Sequence, residues 1–342
     1  MPTITVVPGD GIGPEVTREA VAVLDALGLG LTVDVLDHVH ADRFLATGTA
    51  LTDDDVSRIR ASAATLLGAV GDPRVTSPDY ARGVLLRLRA ELDLYVNLRP
   101  VRLLHERLSP LRDGRRRDLD CVIVRENTEG LYSGIGGTLR AGTRDEVAVD
   151  ADVSTWLGVS RVIDYAFGAA RRGVCMVDKS NAVPAGGRLW QRCWRDALAR
   201  YPQVPARHLY VDVAAMNLVA QPETFDVIVT NNSYGDILSD LAATLAGGLG
   251  AAASGNLNPA TGFGLYEPVH GSAPDIAGQG IANPVGAVLS AALLVEHLGH
   301  PDAAEAVRGA VRSTVETGRC TPDLGGSLTT AGAGAAIRAA LG

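Results

Sequence analysis

Short apolar runs of four to six residues alternate with longer amphipathic stretches along most of the chain. This is the pattern of an α/β protein built around a largely parallel sheet. The runs TITVVP (3–8), LTVDVL (31–36), ATLLGAV (64–70), LDCVIVRE (119–126), GVCMVD (173–178), HLYVDV (208–213) and FDVIVT (225–230) read as strands. Apolar positions at helical spacing predict helices over 15–27, 84–92, 157–170, 188–199, 236–245, 285–298 and 303–317. No internal repeat and no Ser/Gly linker breaks this alternation, so any division into domains must pass through continuous crossings. The natural ones lie near Leu98, before Pro100, and in the glycine-rich stretch 247–255. They predict one discontinuous domain from 1–97 plus 249–342 and a central one from 98–248.

Size and charge narrow the reading. The 342 residues can bury a substantial core without disulfides or structural metals. With 39 acidic residues against 31 basic ones the net charge is -8, and no segment concentrates enough positive charge to track a phosphate backbone, so nucleic acid is excluded as a partner. Arg115, Arg116 and Arg117 sit beside Asp113, Asp118 and Asp120, as in a solvated loop. No apolar run approaches membrane-spanning length. The start MPTITVVPGDG reads directly as a first strand, which leads us to expect a cytoplasmic protein. Cys121, Cys175, Cys193 and Cys320 share no CxxC spacing and cluster with no histidine, the usage of reduced thiols.

One count singles out a residue. Of the 31 basic residues, Lys179 alone is lysine. Arginine is permanently protonated, whereas lysine can give up its proton, so position 179 is a candidate general base.

Four further segments carry chemistry. Gly9-Asp10-Gly11-Ile12-Gly13-Pro14 follows the first strand, with Asp37 about twenty residues on, an arrangement that invites a dinucleotide-binding reading. The spacing is not GxGxxG, and Pro14 is also explained as a helix start. Asp236 and Asp240, at i and i+4, share one face at an expected helix N-terminus, where the dipole favours negative charge. With Asp212 they form an all-oxygen set suited to Mg²⁺ or Mn²⁺. Arg89, Arg99 and Arg125 supply rigid forks for carboxylates, and Arg125 and Tyr132 lie just past the end of an expected buried strand. Finally, 267–278 reads as a glycine- and proline-punctuated loop, of the kind that holds a ligand.

Taken in order, GDGIGPE, LLGAVGDP, NLRPVR, VRENTEGLYSG, DKSN, FDVIVTNNSYGDILSD and EPVHGSAPDIAGQGIANP resemble the β-decarboxylating dehydrogenases over nearly the whole chain. That family contains isocitrate, 3-isopropylmalate, homoisocitrate and tartrate or D-malate dehydrogenases. The resemblance implies two α/β domains with a large mixed sheet, not a Rossmann fold, and a homodimer whose active sites draw on both subunits. It assigns the cofactor to the discontinuous domain and substrate, metal and dimerisation to the central one. Catalysis would fall to Lys179, Tyr132 and Asp212. The metal would be held by Asp236 and Asp240 of one subunit and Asp212 of the other. Substrate would meet Arg89, Arg99, Arg125, Leu85, Leu86, Asn181 and Ala182.

The same resemblance places the cofactor at His270, Gly271, Ser272, Ala273, Asp275, Ile276 and Asn283. A carboxylate at Asp275 bonds ribose hydroxyls and repels a 2′-phosphate, so NAD is expected in place of NADP. The segments GDPRVTSPDYARGVLLRLR, GGTLRAGT and ASGNLNP look most like the actinobacterial 3-isopropylmalate enzymes, while YSGIGG, NLRPVR and NLNP also resemble tartrate or D-malate enzymes. Ala81 and Ala182 depart from the former, where a glutamate and a valine are usual, which leaves open a relative specialised for another 3-substituted malate. The expected reaction is metal- and NAD-dependent oxidative decarboxylation of such a malate, 3-isopropylmalate first. A non-catalytic regulatory role is the remote alternative.

Overall fold

The computed structural model describes residues 1–117 and 119–342, the side chains of Arg115 and Arg116 excepted. The part of the expected solvated loop that falls on Asp118 and on the side chains of Arg115 and Arg116 lies outside the described residues. In chain order the strands are β1 (Thr3–Gly9), β2 (Thr32–Val35), β3 (Ala64–Ala69), β4 (Val96–Arg102), β5 (Asp120–Glu126), β6 (Gly136–Leu139), β7 (Val147–Asp150), β8 (Val174–Asp178), β9 (Ala206–Tyr210), β10 (Val227–Thr230), β11 (Ala253–Asn258) and β12 (Phe263–Pro268). The chain divides into two compact units: Met1–Leu94 with Arg102–Arg112 and Ala243–Gly342, and Tyr95–Val101 with Asp113–Ala242.

In the first unit the strand order is β2-β1-β3-β12-β11. All neighbours are parallel except the β11–β12 hairpin. Ile4, Val6, Val7, Leu66 and Leu67 are buried on alternating faces, as expected of strands covered on both sides. One core cluster joins Leu36, Val56, Ile59, Leu67, Val84, Leu88 and Leu265. The helix Val285–His297 is buried through Val288, Ala291, Ala292, Leu294 and Val295, consistent with its nearly uninterrupted apolar sequence. The glycine-rich crossing expected at 247–255 runs into β11, a strand whose sequence, ASGNLN, is half polar. Those polar groups are satisfied internally: Ser254 Oγ donates to Glu267 O (3.0 Å), Asn256 Nδ2 to Glu267 Oε1 (2.9 Å) and Asn258 Nδ2 to Leu92 O (3.2 Å). The expected ligand loop therefore begins after β12, and Glu267 is a buried strand residue.

The helix expected over 84–92 is two segments. Arg82–Leu86 is a π-helical turn, in which Arg87 N donates to Arg82 O, and Arg87–Glu91 continues as α-helix.

The second unit has the order β4-β5-β10-β8-β9, parallel from β5 through β9. Ile123, Val124, Met176, Val177, Ile228 and Val229 form its buried sheet. The helix Trp156–Ala169 contributes Val159, Val162, Ile163 and Ala166 to the same core. β6 and β7 make a separate antiparallel hairpin, and its residues are all exposed.

Two sequence expectations change here. HLYVDV is strand only to Tyr210; Val211–Ala220 is helical, so Asp212 sits in a helix's first turn. The β-propensity of Val211 and Val213 is weak evidence beside tertiary context. The helix expected from Asp236 starts at Asn232. Asp236 therefore lies beyond the first turn, where the helix dipole has largely faded.

Candidate active site

The second unit gathers its site residues where strands end and helices begin. Arg99 projects from β4 and Arg125 from β5; both are buried. Asn97, two residues before Arg99 and so on the same strand face, accepts from Arg99 Nε (2.7 Å). Arg99 Nη1 reaches Ser239 Oγ (2.6 Å) and Asp240 Oδ1 (3.3 Å), and its Nη2 lies 3.2 Å from Asp236 Oδ1. Arg125 donates to Asp236 through Nη1, and through Nε (2.9 Å) and Nη2 (2.6 Å) to Asn232 Oδ1. Gly235 makes this approach feasible, since a Cβ there would lie 2.6 Å from Arg125 Cβ.

Tyr132 completes the cluster, its hydroxyl donating to Asp236 Oδ2 (3.1 Å) while its ring lies 5.5 Å from the Arg125 guanidinium. Burial and the neighbouring Asp236 raise the Tyr132 pKa, so the phenol stays protonated at neutral pH. Partial burial pushes the Asp240 carboxyl above the usual carboxylate range, with Asp236 adding to it against the pull of Arg99 and Arg125. Two carboxylates kept close in this way favour a bound cation, and their all-oxygen chemistry fits Mg²⁺ or Mn²⁺.

Lys179 and Asp212 form a second cluster. Lys179 Nζ lies 2.8 Å from Asp212 Oδ1 and 5.7 Å from the centre of the Tyr210 ring. The amine holds Asp212 below the usual carboxylate range. Asn181 and Ala182 are exposed in the turn after it. Among the described residues no group of three or more His, Cys, Asp or Glu side chains is disposed to hold a metal. Asp212 is thus not assembled with Asp236 and Asp240 in this chain.

In the first unit Arg89 is buried, with Nη2 3.1 Å from Glu267 Oε1 and Nε without a partner among the described residues. Leu85 packs partly against the core cluster, whereas Leu86 is half-buried outside it. Ala81 is exposed. Arg87 is engaged by Leu51 O, Asp53 and Glu91.

After β12 comes the expected cofactor loop. His270 Nδ1 donates to Gly271 O (2.9 Å) and its Nε2 is buried without a partner among the described residues. Burial lowers the His270 pKa, so this nitrogen is an acceptor available to a ligand N–H. Gly271 has open space where a Cβ would stand. Ser272 is buried and Asp275 is exposed, with Ile276 half-buried beside it. Ala273 has φ +39°, a conformation rare outside glycine. Asn283 is engaged with Asp323 and with Val285 N. These features fit a nucleotide.

The Gly9–Gly13 turn does not. A Cβ at Gly9 would stand 1.9 Å from Ala69 O, one at Gly11 1.9 Å from Ser272 O, and one at Gly13 2.2 Å from Pro8 O. The glycines serve backbone packing. Asp10 ties the turn to Ala41 N, Gly71 N and the Tyr80 hydroxyl, and Asp37 lies exposed two residues past the end of β2.

Residues 3–337 match the isocitrate/isopropylmalate dehydrogenase family. The chain belongs to that family. Its relatives include the 3-isopropylmalate dehydrogenase of Thermobifida fusca, 49% identical over 336 residues covering 92% of this chain and 95% of the relative. That of Leifsonia xyli is 51% identical over 319 residues, 90% of this chain and 89% of the relative. Among solved structures, an isocitrate dehydrogenase from Methylococcus capsulatus matches with a TM-score of 0.91 at 38% identity, over 100% of this chain and 99% of its own. A β-decarboxylating dehydrogenase from Thermococcus kodakarensis matches at 0.82 and 38%, over 100% and 96%. The α/β fold of this family member is therefore that of the isocitrate and isopropylmalate dehydrogenases. Among the described residues no helix is long and apolar enough to cross a membrane, and the four cysteines are buried and unpaired.

The arginines and aspartates of the family member are apparent in its sequence; the residues that hold them are not. Asn232 and Ser239 carry no sequence signal, and Glu267 stands at the head of an apparent loop. Only Asn97 can be found in advance, from its same-face spacing to Arg99.

Proposed function

We propose that this protein catalyses metal- and NAD-dependent oxidative decarboxylation of a 3-substituted malate, 3-isopropylmalate foremost. The carrying observation is the pair of half-sites in one chain: Arg99, Arg125, Tyr132, Asp236 and Asp240 in one cluster, Lys179 with Asp212 in another. The reading joins them through a homodimer, in which one subunit's Lys179 and Asp212 complete its partner's cluster. Exposed apolar side chains favour such a partner: Met216, on the helix that carries Asp212, is 68% exposed, and Ile237, beside Asp236, is 63% exposed. Leu139 and Val149 of the β6–β7 hairpin are likewise exposed, although a two-stranded ribbon is marginal alone.

In this reading Asp236, Asp240 and the partner subunit's Asp212 hold Mg²⁺ or Mn²⁺. A divalent cation held there would supply Lewis-acid polarisation of the C2 hydroxyl and stabilisation of negative charge on the neighbouring oxygen. Arg99 and Arg125 orient the carboxylates by forked hydrogen bonds. Lys179 Nζ would take the C2 hydroxyl proton, and NAD would supply the hydride acceptor. After CO₂ leaves, the protonated Tyr132 hydroxyl donates to C3. Arg89 supplies a further carboxylate contact through its spare Nε, a role its own variant can test. His270 to Asp275 receive the dinucleotide, with Asp275 bonding the ribose.

The apolar Leu86 and the shortened wall at Ala182 favour an alkyl substituent at C3. A buried hydroxyl or carboxylate there would forgo solvation of about 1–3 kcal/mol. The test is NADH formation with Mg²⁺ across D-malate, 3-isopropylmalate, bulkier alkyl malates, tartrate, isocitrate and homoisocitrate, with an EDTA-treated control. Preference for a polar substituent would move the substrate assignment to the tartrate or isocitrate type. Full activity after EDTA would remove the metal from the scheme.

A further inference from the structure

The end of β8 holds a buried carboxylate that the reaction does not use. Asp178 is 4% exposed. Its Oδ1 accepts from His208 Nε2 (2.8 Å) and from Ser180 N (3.1 Å), and its Oδ2 accepts from Gln191 Nε2 (2.8 Å). A carboxylate only accepts, so the His208 proton resides on Nε2.

We propose that Asp178 is a positioning residue for Lys179. Two routes connect them. Along the backbone, the bond from Ser180 N closes an Asx turn around Lys179, and the Lys179 carbonyl accepts from Ala182 N (2.9 Å) and Val183 N (2.8 Å) at the start of the helix Pro184–Arg200. Residue 179 is therefore held on both sides. Gly187 lets that helix close onto the turn, since a Cβ there would lie 2.4 Å from Ser180 Cα.

Through side chains, His208 meets Tyr210 edge to face at 5.2 Å and 89°, and the Tyr210 ring lies beneath the Lys179 amine. His208 and Tyr210 share one face of β9, next to Asp178 in the parallel register. One carboxylate thus fixes both the turn that carries the lysine and the ring its side chain rests on. Misplacement of a reacting group by about 1 Å can cost about a hundredfold in rate.

This inference rests on the proposed role of Lys179 as base, so its test has one arm that needs no turnover. Lys179 is the only lysine of the chain, and lysine labelled with ¹³C at Cε therefore gives a single NMR signal, displaced by the Tyr210 ring. In Asp178→Ala that signal should move to the position of a free lysine while far-UV circular dichroism stays native. In kinetics, Asp178→Ala should lower kcat about tenfold or more with KM for the malate within about threefold. Asp178→Asn should restore most of the loss, because its amide oxygen still accepts from Ser180 N. If Asp178→Ala does not fold, His208→Phe carries the test: it keeps the ring contact with Tyr210 and deletes the N–H, and should shift the lysine signal and lower kcat at constant KM. An unmoved lysine signal in a folded variant overturns the inference whatever the enzyme assays show. A moved signal in a protein that turns over no malate in any form leaves the positioning intact and removes the substrate reading.

Discussion

Lys179, the last residue before the turn out of β8, and Asp212, in the first turn of the helix after β9, are paired at 2.8 Å within one chain. Among the described residues Asp212 is not assembled with Asp236 and Asp240 into a metal-holding group there. A site split this way makes a mixing experiment decisive. Lys179→Arg and Asp236→Asn should each be inactive as homodimers and retain near-native melting temperatures. Unfolded, mixed and refolded together, they should recover about a quarter of wild-type activity, because half of the dimers are hybrid and each hybrid has one intact site. No recovery from well-folded hybrids would mean that the two clusters belong to one subunit's site.

The cofactor assignment turns on two aspartates. Asp275→Ala should raise KM for NAD about tenfold and narrow the preference over NADP, since it removes a ribose acceptor and a repulsive charge together. Asp37→Ala should change neither. The opposite result would restore a phosphate-binding role to the Gly9–Gly13 turn, against its close packing on Ala69 and Ser272.

Acid should unfold the protein partly through Asp226. This carboxylate is 5% exposed, and burial alone would raise its pKa. The backbone N–H groups of Arg171 (2.7 Å), Arg172 and Gly173 (3.0 Å) overcome that and hold it below the usual range. A carboxyl depressed in the folded chain contributes stability that is present above its unfolded value near about 3.9 and is lost as pH falls through the folded value. Asp226→Asn should therefore cost about 1.5–3 kcal/mol at pH 7 and flatten the decline in stability between about pH 5 and 2. Parallel urea midpoints for the two proteins across that range provide the measurement, and equal slopes would exclude Asp226 as a contributor.

Gly235→Ala tests how closely the helix that carries Asp236 and Asp240 must approach β5. The added methyl would stand 2.6 Å from Arg125 Cβ and Cγ, so the helix or the arginine must shift. Overpacking of this kind costs about 1–3 kcal/mol, readable as a lowered melting temperature. Because Asp236 and Asp240 ride on the same helix, the metal concentration for half-maximal activity should rise as well. An unchanged metal requirement would show that the arginine moves and the helix does not.

Most strands and the chemistry-bearing side chains are legible in the sequence because their signals are local: apolar runs for β1, β3, β5, β8 and β10, and charge type for the arginines and aspartates. The features that escape depend on partners distant in the chain or on turns that look like loops. β11 resembles a linker until Glu267, which accepts from its Asn256, is known to lie beside it. The helix at Asn232 starts early because Asn231 Oδ1 accepts from Tyr234 N, a local cap hidden within an apparent loop. Val211 and Val213 suggest a longer strand, and only the helical continuation shows Asp212 turned toward Lys179.

The widened turn at Arg82–Leu86 has an evolutionary consequence. A π turn accommodates one surplus residue within an otherwise α-helical path, and each residue of an α-helix advances the azimuth by about 100°. Removing or relocating that surplus residue would rotate Leu85 and Leu86 relative to the α-helical segment beyond them, while Arg89, anchored to Glu267 at 3.1 Å, kept its place. If, as proposed above, Leu86 meets the C3 substituent and Arg89 a carboxylate, single-codon insertions and deletions, more than side-chain exchange, are the economical route to a new substituent with the carboxylate contact kept.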